Sequence, residues 1–219
     1  MYKGTKYNVQ RDKVQCTKGQ STMYKVTMYN VQSDMATEYL TIEHEATGLY
    51  KEKGSRFISF AEYVETKEAA MERVAFYRKQ YHDARHVCFA YIIGSEGEES
   101  RSGDDGEPAG TAGKPILTQI KAKNITNTLV VVVRYFGGIL LGTGGLVAAY
   151  RSATQDALTK AGVTQKWVMV RKKAICSQAD YPHLMQKLAK TGCQIISQDW
   201  SENECIIEYA IKKADEHRL

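Results

Sequence analysis

Residues 128–145 run Thr-Leu-Val-Val-Val-Val-Arg-Tyr-Phe-Gly-Gly-Ile-Leu-Leu-Gly-Thr-Gly-Gly. Four consecutive valines with no polar alternation predict a central strand, Thr128 to Val133, with both faces covered. Arg134, Tyr135 and Phe136 follow it, and then a glycine-rich turn through Gly145. A helix is predicted next, with Leu146, Ala149, Tyr150, Ala153 and Ala157 on one face and Gly162 as its stop.

Upstream, the pattern from Glu45 to Glu65 suits strands, with a turn at Lys53-Gly54-Ser55. Thr66 is placed as the N-cap of a helix to about Tyr81, whose apolar stripe is Ala69, Ala70, Val74 and Tyr77. His86 to Ile93, bounded by Gly94, predicts a buried strand. Residues 94–113 are rich in Gly, Asp, Glu and Ser and are expected to form a long loop, of the kind that is often functional. Pro115 favours a helix start, with Ile116, Leu117 and Ile120 on its buried face.

Downstream of Gly162 the pattern changes to a second, smaller unit. Gln165 to Cys176 is strand-like, Asp180 is placed to cap a helix carrying Leu184, Met185 and Leu188, and Gly192 ends it. Cys193 to Trp200 and Glu204 to Lys212 suggest a hairpin around Ser201-Glu202-Asn203. That β-α-β-β order is three-quarters of a ferredoxin-like unit. With only Lys213 to Leu219 remaining, the expected second helix and fourth strand are missing. The expectation is an α+β chain: a basic extension over 1–34, a two-layer α/β domain over 35–162, and an incomplete ferredoxin-like domain over 163–219.

The chain has 219 residues, 43% hydrophobic and 25% charged, with three prolines, which fits a globular protein and argues against a collagenous or wholly disordered one. The net charge is +5, but residues 1–34 carry six basic and two acidic side chains. The other 185 residues therefore hold 24 basic against 23 acidic groups, so the basic excess says little about the folded part. Residues 1–34 are expected to be a disordered or loosely packed extension, with Met35 resembling a protein start. Five cysteines without a C-x-x-C pair argue against a disulfide framework or a zinc knuckle. No apolar run approaches a membrane span, and no secretory h-region is visible. A cytoplasmic protein without metal or cofactor is expected.

Two loops carry the chemistry. Gly142-Thr143-Gly144-Gly145 lies between a strand and a helix, but the dinucleotide fingerprint would need glycine at Val147. Gly113-Lys114 imitates a P-loop, yet Pro115 replaces its Ser/Thr and Pro108 its first glycine. Backbone N–H groups at a helix start, with Arg134 close in sequence, can still hold an anion; a tight turn that lets the helix approach the sheet is the alternative. Asp104, Asp105 and Glu107 could share a proton or hold a cation, or form a solvated acidic loop. His86 is a candidate acid or base, or a structural histidine at a strand start.

The blocks His86-Val-Cys-Phe-Ala-Tyr, Asp104-Asp-Gly-Glu-Pro-Ala-Gly-Thr-Ala-Gly113, Gly113-Lys-Pro-Ile-Leu-Thr-Gln-Ile, Leu129-Val-Val-Val-Val-Arg-Tyr-Phe-Gly-Gly-Ile-Leu-Leu-Gly142 and Gly144-Gly-Leu-Val-Ala-Ala-Tyr150 together resemble the signature of the YigZ/IMPACT family. The resemblance covers roughly residues 40–162. It implies an α/β domain of the kind shared by ribonuclease PH and by domains of ribosomal proteins and elongation factors, followed in bacterial members by a ferredoxin-like domain. The eukaryotic relatives act in translational control through a protein partner. A proline-dipeptidase label carried by some bacterial relatives is rejected here, because the residues offer no dinuclear-metal ligand set.

Two functions are weighed. The first is a translation-associated regulatory module that contacts RNA, the ribosome or a translation factor. Its anion- or RNA-binding candidates are Arg134, Tyr135, Gly137, Gly138, Thr143, Gly144 and Gly145, with Glu107, Thr111 and Lys114 from the facing loop. The second is an enzyme acting on a phosphate-bearing substrate, with His86, Asp104 or Asp105 moving protons. The two loops are expected to emerge at one sheet edge if their strands are adjacent and parallel. A salt bridge from Arg134 to Asp104 or Asp105 is the competing structural use of that arginine.

Overall fold

The valine run is the middle strand of a five-stranded sheet. The structure, a computed structural model, describes residues 37–202 and 204–218. Its elements are β1 (Glu38–Thr41), β2 (Ala46–Glu52), β3 (Ser55–Tyr63), α1 (Lys67–Gln80), β4 (His86–Ile93), β5 (Glu99–Gly103), α2 (Gly113–Ala122), β6 (Thr128–Tyr135) and α3 (Gly142–Ala161). Then come β7 (Thr164–Trp167), β8 (Met169–Ser177), α4 (Tyr181–Lys190), β9 (Gln194–Trp200), β10 (Glu204–Lys212) and a 3-10 helix over Lys213–Arg218. The expectation for residues 1–34 lies outside the described residues. The chain divides into two units, one spanning Glu38–Lys166 and the other holding Trp167–Leu219.

In the first unit the sheet order is β2-β3-β6-β4-β5, and every neighbouring pair is antiparallel. Strand parity sorts the side chains of β6. Val130 and Val132 pack beneath α2 and α3, with Ile116, Ile120, Ala149, Tyr150, Ala153 and Ala157. Leu129, Val131 and Val133 face the other way, against Val74 and Tyr77 of α1. The four valines are fully buried, each worth about 1.5–3 kcal/mol relative to exposure. The layers are therefore α2/α3, sheet and α1. This corrects the two-layer expectation: a strand apolar on both faces needs a helix on each.

Three further expectations change. β4 and β6 are adjacent as expected but antiparallel. The acidic loop contains a strand, β5, whose polar sequence has no apolar alternation to announce it; it forms by backbone pairing with β4, from Phe89↔Gly103 to Ile93↔Glu99. α3 begins at Gly142, so the expected turn through Gly145 is its first helical turn. Thr66 does cap α1, its Oγ1 accepting from the Ala69 N–H at 3.1 Å.

The second unit has a three-stranded antiparallel sheet in the order β8-β10-β9. Leu188 of α4 packs with Ala174, Cys176, Cys205, Ile207, Tyr209 and Ile211 on one side of it. The segment expected as one strand over Gln165 to Cys176 is broken at Val168, with β7 pairing β1 and β8 pairing β10. Asp180 does occupy the N-cap position of α4, but its carboxylate accepts from Ser177 Oγ at 2.7 Å and from no helix N–H.

Candidate functional site

Antiparallel pairing sets the site. His86, at the start of β4, lies directly opposite Arg134, near the end of β6. β5 runs back along β4, so the chain leaving Gly103 returns to the same sheet end. The hairpin between β2 and β3 closes there too, since Arg56 is opposite Tyr135. Residues 53–56, 85–86, 104–113 and 134–145 thus share one end of the sheet.

At its centre is a buried charge pair. Arg134 donates from Nη1 to Glu107 Oε1 at 2.5 Å, with side-chain exposures of 6% and 3%. Tyr150 of α3 donates its hydroxyl to the same carboxylate oxygen at 2.8 Å, and His86 Nε2 lies 3.8 Å from it. The guanidinium carbon is 5.5 Å from the Phe57 ring centre and 5.7 Å from that of Phe136. Arg134 Nε is buried and has no hydrogen-bond partner among the described residues. Cys88 donates its thiol to the Asp104 carbonyl at 3.0 Å and lies 3.3 Å from the Tyr150 hydroxyl. Parity explains the gathering: His86, Cys88 and Arg134 point to the face that α3 covers.

The neighbouring carboxylates are engaged separately. Asp104 accepts from the N–H groups of Gly110 (2.8 Å), Ala112 (3.0 Å) and Gly113 (2.8 Å), supplying the anion for the start of α2. Burial raises its pKa, but the three N–H donors outweigh this and leave it below the usual carboxylate value. A Cβ on Gly113 would stand 2.8 Å from the backbone nitrogen of Gly103, so only glycine fits this close approach without a shift. Asp105 pairs with Arg78 of α1 at 2.5 Å and accepts from the Val87 N–H at 2.7 Å. The Asp105 carbonyl and His86 Nδ1 are 2.8 Å apart. Thr111 is buried and donates to the Pro108 carbonyl, while Lys114 is exposed on α2.

Reactive chemistry finds little purchase in this cluster. Burial pushes the Cys88 thiol and the Tyr150 hydroxyl well above their ordinary pKa values, so neither is an anionic nucleophile near neutral pH. Among the described residues no three His, Cys, Asp or Glu side chains converge as metal ligands.

The remaining candidates lie outside the pair, on the segment from β6 into α3. Tyr135 donates its hydroxyl to Asp83 at 2.8 Å. Gly137 is packed against the hairpin turn, its N–H donating to Ser55 Oγ at 3.1 Å. Gly138, Thr143 and Gly144 are exposed, and the N-cap residue of α3, Leu141, makes no side-chain capping hydrogen bond. Between them Ile139 and Leu140 stand 56% and 83% exposed. Sequence reasoning missed these two as surface groups, although an aliphatic pair between glycines was visible. It also missed Arg78, whose helical position carries no sign of a distant carboxylate.

The Impact N-terminal domain family matches residues 53–158. The chain is 39% identical over 150 residues to the Escherichia coli IMPACT family member YigZ, covering 68% of this chain and 74% of that protein. It is 37% identical over 150 residues to Bacillus subtilis YvyE, covering 68% of each. This chain belongs to the IMPACT family. A solved structure described as a hypothetical protein superposes on this family member with a TM-score of 0.70 at 33% identity, covering 84% of this chain and 89% of that one. Among the described residues no helix is long and apolar enough to cross a membrane.

Proposed function

We propose that this IMPACT-family chain is a non-catalytic binding module that contacts a component of the translation apparatus through the sheet end formed by residues 53–56, 85–86 and 134–145. The observation that carries the reading is a division of labour among the charged residues. Arg134, Glu107, Asp104 and Asp105 all have partners within the unit, whereas the β6–α3 segment exposes the apolar side chains of Ile139 and Leu140 and its helix starts without a side-chain cap from Leu141. Stitched loops with an exposed tip suit recognition. An enzyme for a phosphate-bearing substrate would need Arg134 for its substrate, and Glu107 already occupies that arginine.

Translation is the context because the eukaryotic proteins this chain resembles act in translational control. The β8-β10-β9 order with α4 also supports the ferredoxin-like reading of the second unit, and the first unit is taken as the ribonuclease PH and ribosomal-protein type. RNA, the ribosome and translation-related proteins are the partners considered, in the cytoplasm.

Sucrose-gradient co-sedimentation of the purified full chain with ribosomes and translation factors from its own cells tests this. The wild type is expected to travel with one of these fractions, and Ile139→Ser/Leu140→Ser to stay at the top while keeping its circular dichroism spectrum. A wild type that never leaves the top fractions would count against the proposal.

A further inference from the structure

Resting on the reading above, the inference concerns what the exposed tip holds. Phe136, Ile139 and Leu140 are 40%, 56% and 83% exposed, and the root of their segment is held firmly. A Cβ on Gly137 would lie 1.9 Å from the Gly54 carbonyl carbon, so the two backbones are in direct contact. The apolar tip is presented from a preformed base.

Arginines flank it. The Arg85 guanidinium lies 5.8 Å from the Phe136 ring centre, and that of Arg56 4.9 Å from the Tyr135 ring centre. Neither forms an ion pair among the described residues. Acidic groups at this end have other partners: Asp83 accepts from Tyr135, Asp105 pairs with Arg78, and Glu52 accepts from Tyr50. An apolar centre with a cationic, arginine-bearing rim has the anatomy of a protein interface. The two most exposed tip side chains, Ile139 and Leu140, offer no π-face for base stacking, and the Phe136 ring has the Arg85 and Arg134 guanidiniums 5.8 and 5.7 Å from its centre. The near balance of charge beyond residue 34 lacks a multi-phosphate footprint.

We propose that Phe136, Ile139 and Leu140, rimmed by Arg56 and Arg85, form a docking site for an acidic protein segment that inserts apolar side chains. The partner's carboxylates would meet the two guanidiniums, and its apolar residues would cover Ile139 and Leu140.

The test places the photo-cross-linking residue p-benzoylphenylalanine at position 140 of the full chain in its own cells, with position 72 on α1 as control. Cross-linked segments are identified by mass spectrometry, and nuclease sensitivity reports RNA. The expected product is a protein segment of net negative charge containing apolar residues. Its yield should fall at least about tenfold with Arg56→Glu/Arg85→Glu, since like charges then face each other; circular dichroism checks that this variant folds. Cross-links to RNA, to a basic segment or to a second copy of this chain overturn the inference, as does a yield no higher than at position 72. An acidic partner outside translation would sink the proposed function alone, and RNA of the ribosome would sink this inference alone.

Discussion

Replacing Arg134 by alanine separates a structural arginine from a ligand-binding one. The substitution leaves Glu107 with a side chain 3% exposed, keeping the Tyr150 hydroxyl at 2.8 Å and losing its cation at 2.5 Å. Breaking a buried pair by removing one partner costs about 3–5 kcal/mol, because the remaining charge stays desolvated. Lost packing against Phe57 and Phe136 adds to this, so the expected loss sits near the upper end. That is a large share of the roughly 5–15 kcal/mol that holds a domain together. In thermal unfolding followed by circular dichroism, Tm should drop by roughly 10–15 °C. Arg134→Met/Glu107→Gln removes both charges and leaves an amide oxygen for Tyr150. This double variant should recover at least about 2 kcal/mol relative to Arg134→Ala, a coupling typical of residues in one network. A loss under about 1 kcal/mol for Arg134→Ala, or no recovery in the double variant, would refute the reasoning. A fully stable Arg134→Ala that no longer binds phosphate would return the arginine to the role of anion receptor.

Gly113→Ala should lower the urea midpoint by an amount equivalent to about 1–3 kcal/mol, because the new methyl group meets the backbone of Gly103 and backbone cannot swing aside; an unchanged midpoint would show that α2 can retreat from β5. Asp104→Asn should destabilise by about 1–3 kcal/mol through its weakened acceptance of three N–H groups. The folded pKa of Asp104 lies below its ordinary value, so its stabilisation is present above the unfolded pKa and is lost as pH falls through the folded one. Urea titrations should show a constant gap between wild type and Asp104→Asn from about pH 8 to pH 5, closing below about pH 4. A gap as large at pH 2 as at pH 7 would contradict that assignment.

The amino-acid sequence by itself determined the local elements of this protein. Val130–Val133 could only be a strand covered on both faces, Thr66 and Gly162 marked helix ends, and Lys53-Gly54 marked the hairpin turn, because those signals are written in neighbouring residues. The blocks from His86 to Tyr150 also pointed to the family before any fold was in view. Tertiary structure alone decided how those elements meet. β5 has no apolar pattern, and exists because the edge of β4 offers its backbone N–H and C=O groups a partner. Antiparallel pairing of β4 with β6 put His86 opposite Arg134, a relation that neither strand's sequence contains. Which of three acidic residues would take Arg134 was equally hidden. Asp104 turned to the start of α2, Asp105 to Arg78, and Glu107 was left facing the arginine and Tyr150. Such choices depend on register, on the direction of each Cβ and on the competing donors within reach, and residues tens of positions apart in the chain settle all three.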